Sequence, residues 1–184
     1  MLASMMRQFW IINGLLFQLA WFSAALLTQY AAFIISFILV LHFVLSDKKH
    51  LDVKLLILAP IGWITDSLLI HYSVITTASG FLPIWLALLW CVFVLSLNHS
   101  LLWLQKLKFP LLVLIGAISG CASYTAAIRF GALDTPLNLT KQVIYFGITW
   151  GILLPLLAYL SNWLIKNSGP NTETDHKHSS RTKT

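Results

Sequence analysis

Asn98, His99 and Ser100 stand side by side inside an otherwise apolar run, FLPIWLALLWCVFVLSLNHSLLWLQ (81–105), and form the densest polar triplet in any such run of the chain. An imidazole there is compatible with a general base, a metal ligand or a hydrogen-bonded packing group. Asp66 is the second candidate, the one acidic residue within the apolar runs as the sequence bounds them. It lies about 18 Å along a helix from Lys54. A carboxyl at that depth is costly unless a cation or several donors hold it, so it marks either a functional site or a structural tie. Tyr124 and Arg129 in a later run, and Gln18 in the first, complete the candidates: Tyr124 for its hydroxyl, Arg129 for pairing with Asp66 or an anionic headgroup, Gln18 for hydrogen bonding across helices. Arg129 is also placed to reach the headgroups, its simplest role.

Other reactive residue types read more plainly. His42 and His71 fall near the ends of their runs and are expected at the interface. Cys91 and Cys121 lie within apolar runs without metal spacing and are read as small packing residues. There is no hydrolase elbow, no zinc-type histidine pair on one helix, no phosphate loop and no carboxylate dyad. No metal site and no cofactor is therefore expected, beyond weak metal binding by His176 and His178 in a solvated tail.

The elements that must position these residues are membrane helices. Of 184 residues, 58% are hydrophobic and 10% charged, and mean hydropathy is +0.81, whereas soluble domains carry about 25% charged residues. Apolar runs at about 9–27, 30–45, 54–72, 81–105, 109–130 and 143–165 fill the chain and leave no room for a soluble domain. Each is long enough, or nearly so, to cross a hydrocarbon core of about 30 Å. The expected fold is all-α: a six-helix transmembrane bundle with short loops, residues 1–8 as a cytoplasmic N-terminus and 166–184 as a disordered cytoplasmic tail. Within it, Gly14, Gln18, Trp21 and Ala25 share one helical face, as do Ala59, Gly62 and Asp66. Gly116, Gly120 and Tyr124 recur at spacings of four beside further small residues, a face for close helix contact. Trp85 and Trp103 fit aromatic belts at the two interfaces. Pro60, and Pro155 with Gly147 and Gly151, are expected to bend their helices.

Arg7, Lys48, Lys49, Lys54, Lys106, Lys108, Lys166, Lys177, Arg181 and Lys183 fall on one side of this topology, and Arg129 and Lys141 on the other. That asymmetry places both termini in the cytoplasm. The net charge of +6 serves orientation toward anionic headgroups; the basic residues form no patch with interleaved aromatics, so nucleic acid is not an expected partner. Membrane lipids are. Oligomeric state is not readable.

The chain resembles the bacterial family of uncharacterised integral membrane proteins called domain of unknown function 2878. The resemblance runs over about 9–165 and rests on FQLAW (17–21), GWITDS (62–67), PIWLALLW (83–90), LNHSLLWL (97–104) and GAISGCASYTAAIRFGA (116–132). Cys121 and Ala127 depart from it, standing where the family more often has a proline and a glycine. The family carries no established activity. The resemblance implies an inner-membrane location and, through neighbouring genes for methyltransferases similar to cyclopropane-fatty-acid synthases, a part in membrane-lipid modification with such a methyltransferase as a partner.

Three classes of function follow. An accessory or scaffold component linked to lipid modification comes first, because no catalytic motif is present. An intramembrane lipid-modifying enzyme would use His99 as acid or base and Asp66 or Arg129 to orient a headgroup, with Asn98, Tyr124 and Gln18 as further binding candidates. A small transporter would rely on a titrating Asp66 and an anion at Arg129.

Overall fold

A computed structural model describes residues 9–168. Within that range the chain is helical, with no strand beyond one isolated bridge. In order come α1 (Phe9–Leu26), α2 (Thr28–Leu45), α3 (Lys49–Leu55), a 3₁₀ turn (Leu56–Leu58), α4 (Ala59–His71), α5 (Ile84–Ser96), a second 3₁₀ turn (Leu102–Lys106), α6 (Phe109–Arg129) and α7 (Leu139–Lys166). Taking α3, the turn and α4 as one segment, five helices are long and apolar enough to cross a membrane, and α5 is a shorter apolar helix. The expected helical bundle is present. The expected cytoplasmic N-terminus and the tail beyond Ser168 lie outside the described residues.

The surface is inverted relative to a water-soluble fold. Phe33, Phe37, Ile57, Ile118 and Ile152 are exposed, while Asn13, Asp52, Asp66 and Asn98 are buried. Apolar side chains outside and satisfied polar ones inside suit hydrocarbon as solvent.

The third segment begins earlier than its sequence suggests. Residues 46–54 read as a polar loop, but helix starts at Lys49, and the connection shrinks to the residues around Asp47. Asp66 is therefore not the only acid in a spanning segment, because Asp52 is in this one too. Pro60 sits in the first turn of α4. It has no N–H to continue the ladder, and the chain tightens to 3₁₀ just before it.

The fourth run departs further. Instead of one helix over 81–105, α5 stops at Ser96 and the chain passes through turns to the second 3₁₀ segment. The unwound backbone is held by side chains: Gln105 Nε2 donates to the Leu97 carbonyl at 3.2 Å and to Ser161 Oγ at 3.1 Å. The Ser100 N–H donates to Asn13 Oδ1 at 3.1 Å. Irregular backbone at this depth persists because neighbours supply the lost hydrogen bonds.

Small residues set the packing of α6 on α7. A Cβ on Gly116 would stand 2.3 Å from the Trp150 carbonyl oxygen, and one on Gly120 2.0 Å from the Trp150 ring. The small-residue face is thus a helix contact. The Trp150 ring also stacks on Trp90, with centroids 5.3 Å apart and planes at 10°. Trp90 in turn lies over Gly62, where a Cβ would come within 2.0 Å of the indole. Two stacked indoles thus each lie against a glycine.

At the other end of the bundle, Gly131 takes a left-handed φ of 79° and turns the chain out of α6, with the Ala132 N–H returning to the Ala127 carbonyl at 3.0 Å. The two loops at this end pair through Thr76 and Asp134, whose backbone groups exchange hydrogen bonds of 2.7 and 3.1 Å. Asn138 caps α7 by accepting from the Lys141 N–H at 3.0 Å.

Candidate functional site

Two polar networks and one cavity carry the chemistry. The first network gathers at the end of the bundle where α2 finishes, α3 begins and α5 has unwound. Its centre is Asp52, with a fully buried carboxylate. Oδ1 accepts from Asn98 Nδ2 at 2.9 Å and faces His99 Nε2 at 2.9 Å. Oδ2 accepts from the Ser46 hydroxyl and faces His42 Nε2 at 3.2 Å. The network continues to α1, where Asn13 Nδ2 lies 3.3 Å from His42 Nδ1 and Asn13 Oδ1 accepts from the Ser100 hydroxyl at 2.6 Å.

Proton positions follow from the one donor that cannot reverse. The Ser100 backbone N–H only donates, so the Asn13 carbonyl must face it and the Asn13 amide group must face His42. His42 Nδ1 is then an acceptor and Nε2 carries the proton, which it donates to Asp52. Phe9 closes the site, its ring packing edge-on to His99 at 4.7 Å and tilted against His42 at 5.4 Å.

His42 is therefore not an interfacial residue: it is 3% exposed and belongs to the core of this network. Asn98 and His99 are brought together as their adjacency suggests. Asp52 and His42 are the residues that sequence reasoning missed. A signal existed, because stepping back from Asp66 along the inward face by four, three, four and three residues passes Gly62, Ala59 and Leu55 to Asp52, and all five are buried. Donor atoms of His42, Asp52 and His99 lie within 4.8 Å of one another, a spacing one metal ion can bridge.

The second network lies about 20 Å further along the same segment, counting 14 residues of helical rise from Asp52 to Asp66. Asp66 is fully buried. Its Oδ2 accepts from Trp90 Nε1 at 2.6 Å, and its Oδ1 accepts from the Tyr124 hydroxyl. Arg129 is exposed, and no ion pair joins it to Asp66 among the described residues. Five residues separate Arg129 from Tyr124, about 140° around the helix, so one faces in and the other out. His99 and Asp66 share no partner and form no common site.

Beside the second network, and sharing Trp90 and Tyr124 with it, is a cavity of about 610 Å³ lined by α1, α5, α6, α7 and the second 3₁₀ turn. Its walls are mainly aromatic and aliphatic, including Phe17, Trp21, Trp85, Phe93, Trp103 and Trp150, with Ser123 and Tyr124 among the few polar groups. Trp85 belongs to this wall, in addition to any interfacial role. Trp21 Nε1 donates to Ser123 Oγ at 2.7 Å across it, tying α1 to α6. Gln18 is not the expected clasp: it is exposed, lines the cavity and makes no side-chain hydrogen bond among the described residues. With Ser119 and Ala122, also exposed and lining, it marks a lateral opening near the middle of α1 and α6.

A bundle of apolar helices with its polar side chains turned inward is a helical membrane protein. More narrowly, the chain belongs to the DUF2878 family, described as a protein of unknown function, whose pattern matches residues 10–156 and so covers both networks. No curated protein matches the chain, and no solved structure does.

Proposed function

We propose that the protein is a lipid-handling component of a bacterial cytoplasmic membrane, which holds an acyl chain in the lateral cavity and presents it to a lipid-modifying partner such as a methyltransferase. The observation that carries this reading is the cavity itself. Its volume is within the range of about 300–1,000 Å³ common for small-molecule sites, and its apolar wall with few polar groups suits a hydrocarbon. A protein needing only to hold its helices together would pack this space to crystal-like density. The opening at Gln18, Ser119 and Ala122 sits at mid-helix, so the natural entrant is a bilayer component. The basic-residue asymmetry supports cytoplasmic termini, which puts the Asp52 network at the inner face.

Ser119→Trp and Ala122→Trp should block the opening without touching either network. The expected result is a several-fold loss of lipid retained by the purified protein in native mass spectrometry, with the unfolding midpoint little changed. Undiminished lipid in both variants would sink the reading. Orientation is checked separately: a cysteine at Ser79 should be labelled by an impermeant reagent from outside the cell, and labelling only from the inside would reverse the topology.

An intramembrane enzyme is the second reading, favoured by the His–Asp–His cluster. Lipid profiles of cells with the gene deleted, restored, and restored as His99→Ala separate the two. A species lost on deletion and still missing with abundant His99→Ala protein favours catalysis within this chain.

A further inference from the structure

We propose that His42, Asp52 and His99 bind one divalent first-row transition ion through the two Nε2 atoms and the carboxylate. Three separate segments deliver these donors to one point: the end of α2, the first turn of α3, and the turn that α5 unwinds to form. All three side chains are buried. The separations from Nε2 to carboxylate oxygen, 3.2 Å for His42 and 2.9 Å for His99, match neighbouring ligands on a single ion. Bonds of about 2.0–2.2 Å place adjacent donors about 2.8–3.1 Å apart at octahedral angles and about 3.3–3.6 Å apart at tetrahedral ones, and both separations fall within that span.

The donor chemistry narrows the ion. Two imidazoles with one carboxylate suit zinc or ferrous iron, whereas magnesium and calcium take oxygen ligands. Three protein ligands leave at least one position for water or substrate, the pattern of a reactive centre more than of a closed structural one.

The surrounding residues orient the ligands as outer partners do at metal sites. Asn98 and Ser46 each hold one carboxylate oxygen, and the Asn13 amide meets the far nitrogen of His42. The ion takes the place of the two Nε2–H protons, so each neutral ring carries its proton on Nδ1 instead. The Asn13 amide then turns its carbonyl to His42 and gives up the Ser100 N–H. Three hydrogen bonds are given up, the two from Nε2 to the carboxylate and the one from the Ser100 N–H, against three coordinate bonds gained. The site is independent of the lipid reading, since none of its three ligands lines the cavity.

The test uses the full-length protein in detergent, without a histidine tag and with His176→Ala and His178→Ala to silence the tail. Elemental analysis of the protein as purified should find zinc or iron in stoichiometric amount. After chelator treatment, cobalt(II) should restore one equivalent and give visible d–d absorption from a nitrogen- and oxygen-ligated ion. Asp52→Asn and His99→Gln should each weaken cobalt binding by about tenfold or more. Because either variant can fail to fold, the unsubstituted ligand set decides on its own. A cooperatively melting chain that takes up no cobalt, zinc or ferrous iron overturns the proposal, as does cobalt binding unaffected by folded His99→Gln.

Discussion

Asp52→Ala is expected to destabilise the protein by about 3–5 kcal/mol, because it strands several buried donors at once. The alanine leaves Asn98 Nδ2, the Ser46 hydroxyl and two imidazole nitrogens facing a space with no acceptor, and each buried donor so stranded costs about 1–3 kcal/mol before relaxation. Asp52→Asn keeps the shape and one acceptor oxygen but turns an NH₂ group toward donors, so its loss should be intermediate. Asp47→Ala, five residues away and exposed, should change stability by less than about 0.5 kcal/mol. The check is the thermal unfolding midpoint of the three proteins in one detergent. Equal midpoints for Asp52→Ala and Asp47→Ala would mean that the network contributes nothing to holding α1, α2, α3 and the unwound turn together.

That Asp52 escapes a reading by composition has a physical cause. Its neighbourhood, SDKKHLDVK, is as polar as any loop in the chain, and averaging over it hides the one side chain that points inward. A helix buries a stripe, not a stretch. The spans, the close-packed glycine face and the Asn98–His99 pair were legible because each depends on local spacing or local hydropathy. The end of α5 was not, since its unwinding depends on acceptors and donors from Asn13 and Gln105, 85 residues before and 7 after Asn98 in the numbering. Depth alone was equally insufficient at the other end: Asp66 and Arg129 both lie toward the same end of the bundle, yet helix rotation sends Arg129 outward and gives Asp66 to Trp90 and Tyr124. The cavity left no mark in the sequence, because it is the space that several helices fail to fill.

The same rotation argument gives glycine substitutions opposite signs. Gly62→Ala puts a methyl group 2.0–2.4 Å from three atoms of the Trp90 ring. Trp90 cannot retreat freely, since Trp150 is stacked on it and Gly120 lies against Trp150 in turn. The expected cost is about 1–3 kcal/mol for overpacking. A further 1–3 kcal/mol or so follows if the displaced indole releases Asp66 and leaves a buried carboxylate oxygen unpaired. Gly147→Ala is the matched control in α7, where an added Cβ meets nothing within 4 Å, so removing a helical glycine should stabilise by about 0.5–1 kcal/mol. Adding Trp90→Leu to Gly62→Ala should recover part of the steric loss though not the hydrogen bond, making the pair less destabilising than the sum of the singles. Unfolding midpoints of the four variants, with tryptophan emission to follow the stacked pair, test this. Additive losses, or a Gly62→Ala protein as stable as Gly147→Ala, would show that Trp90 is free to retreat and that Asp66 keeps its charge or proton by other means.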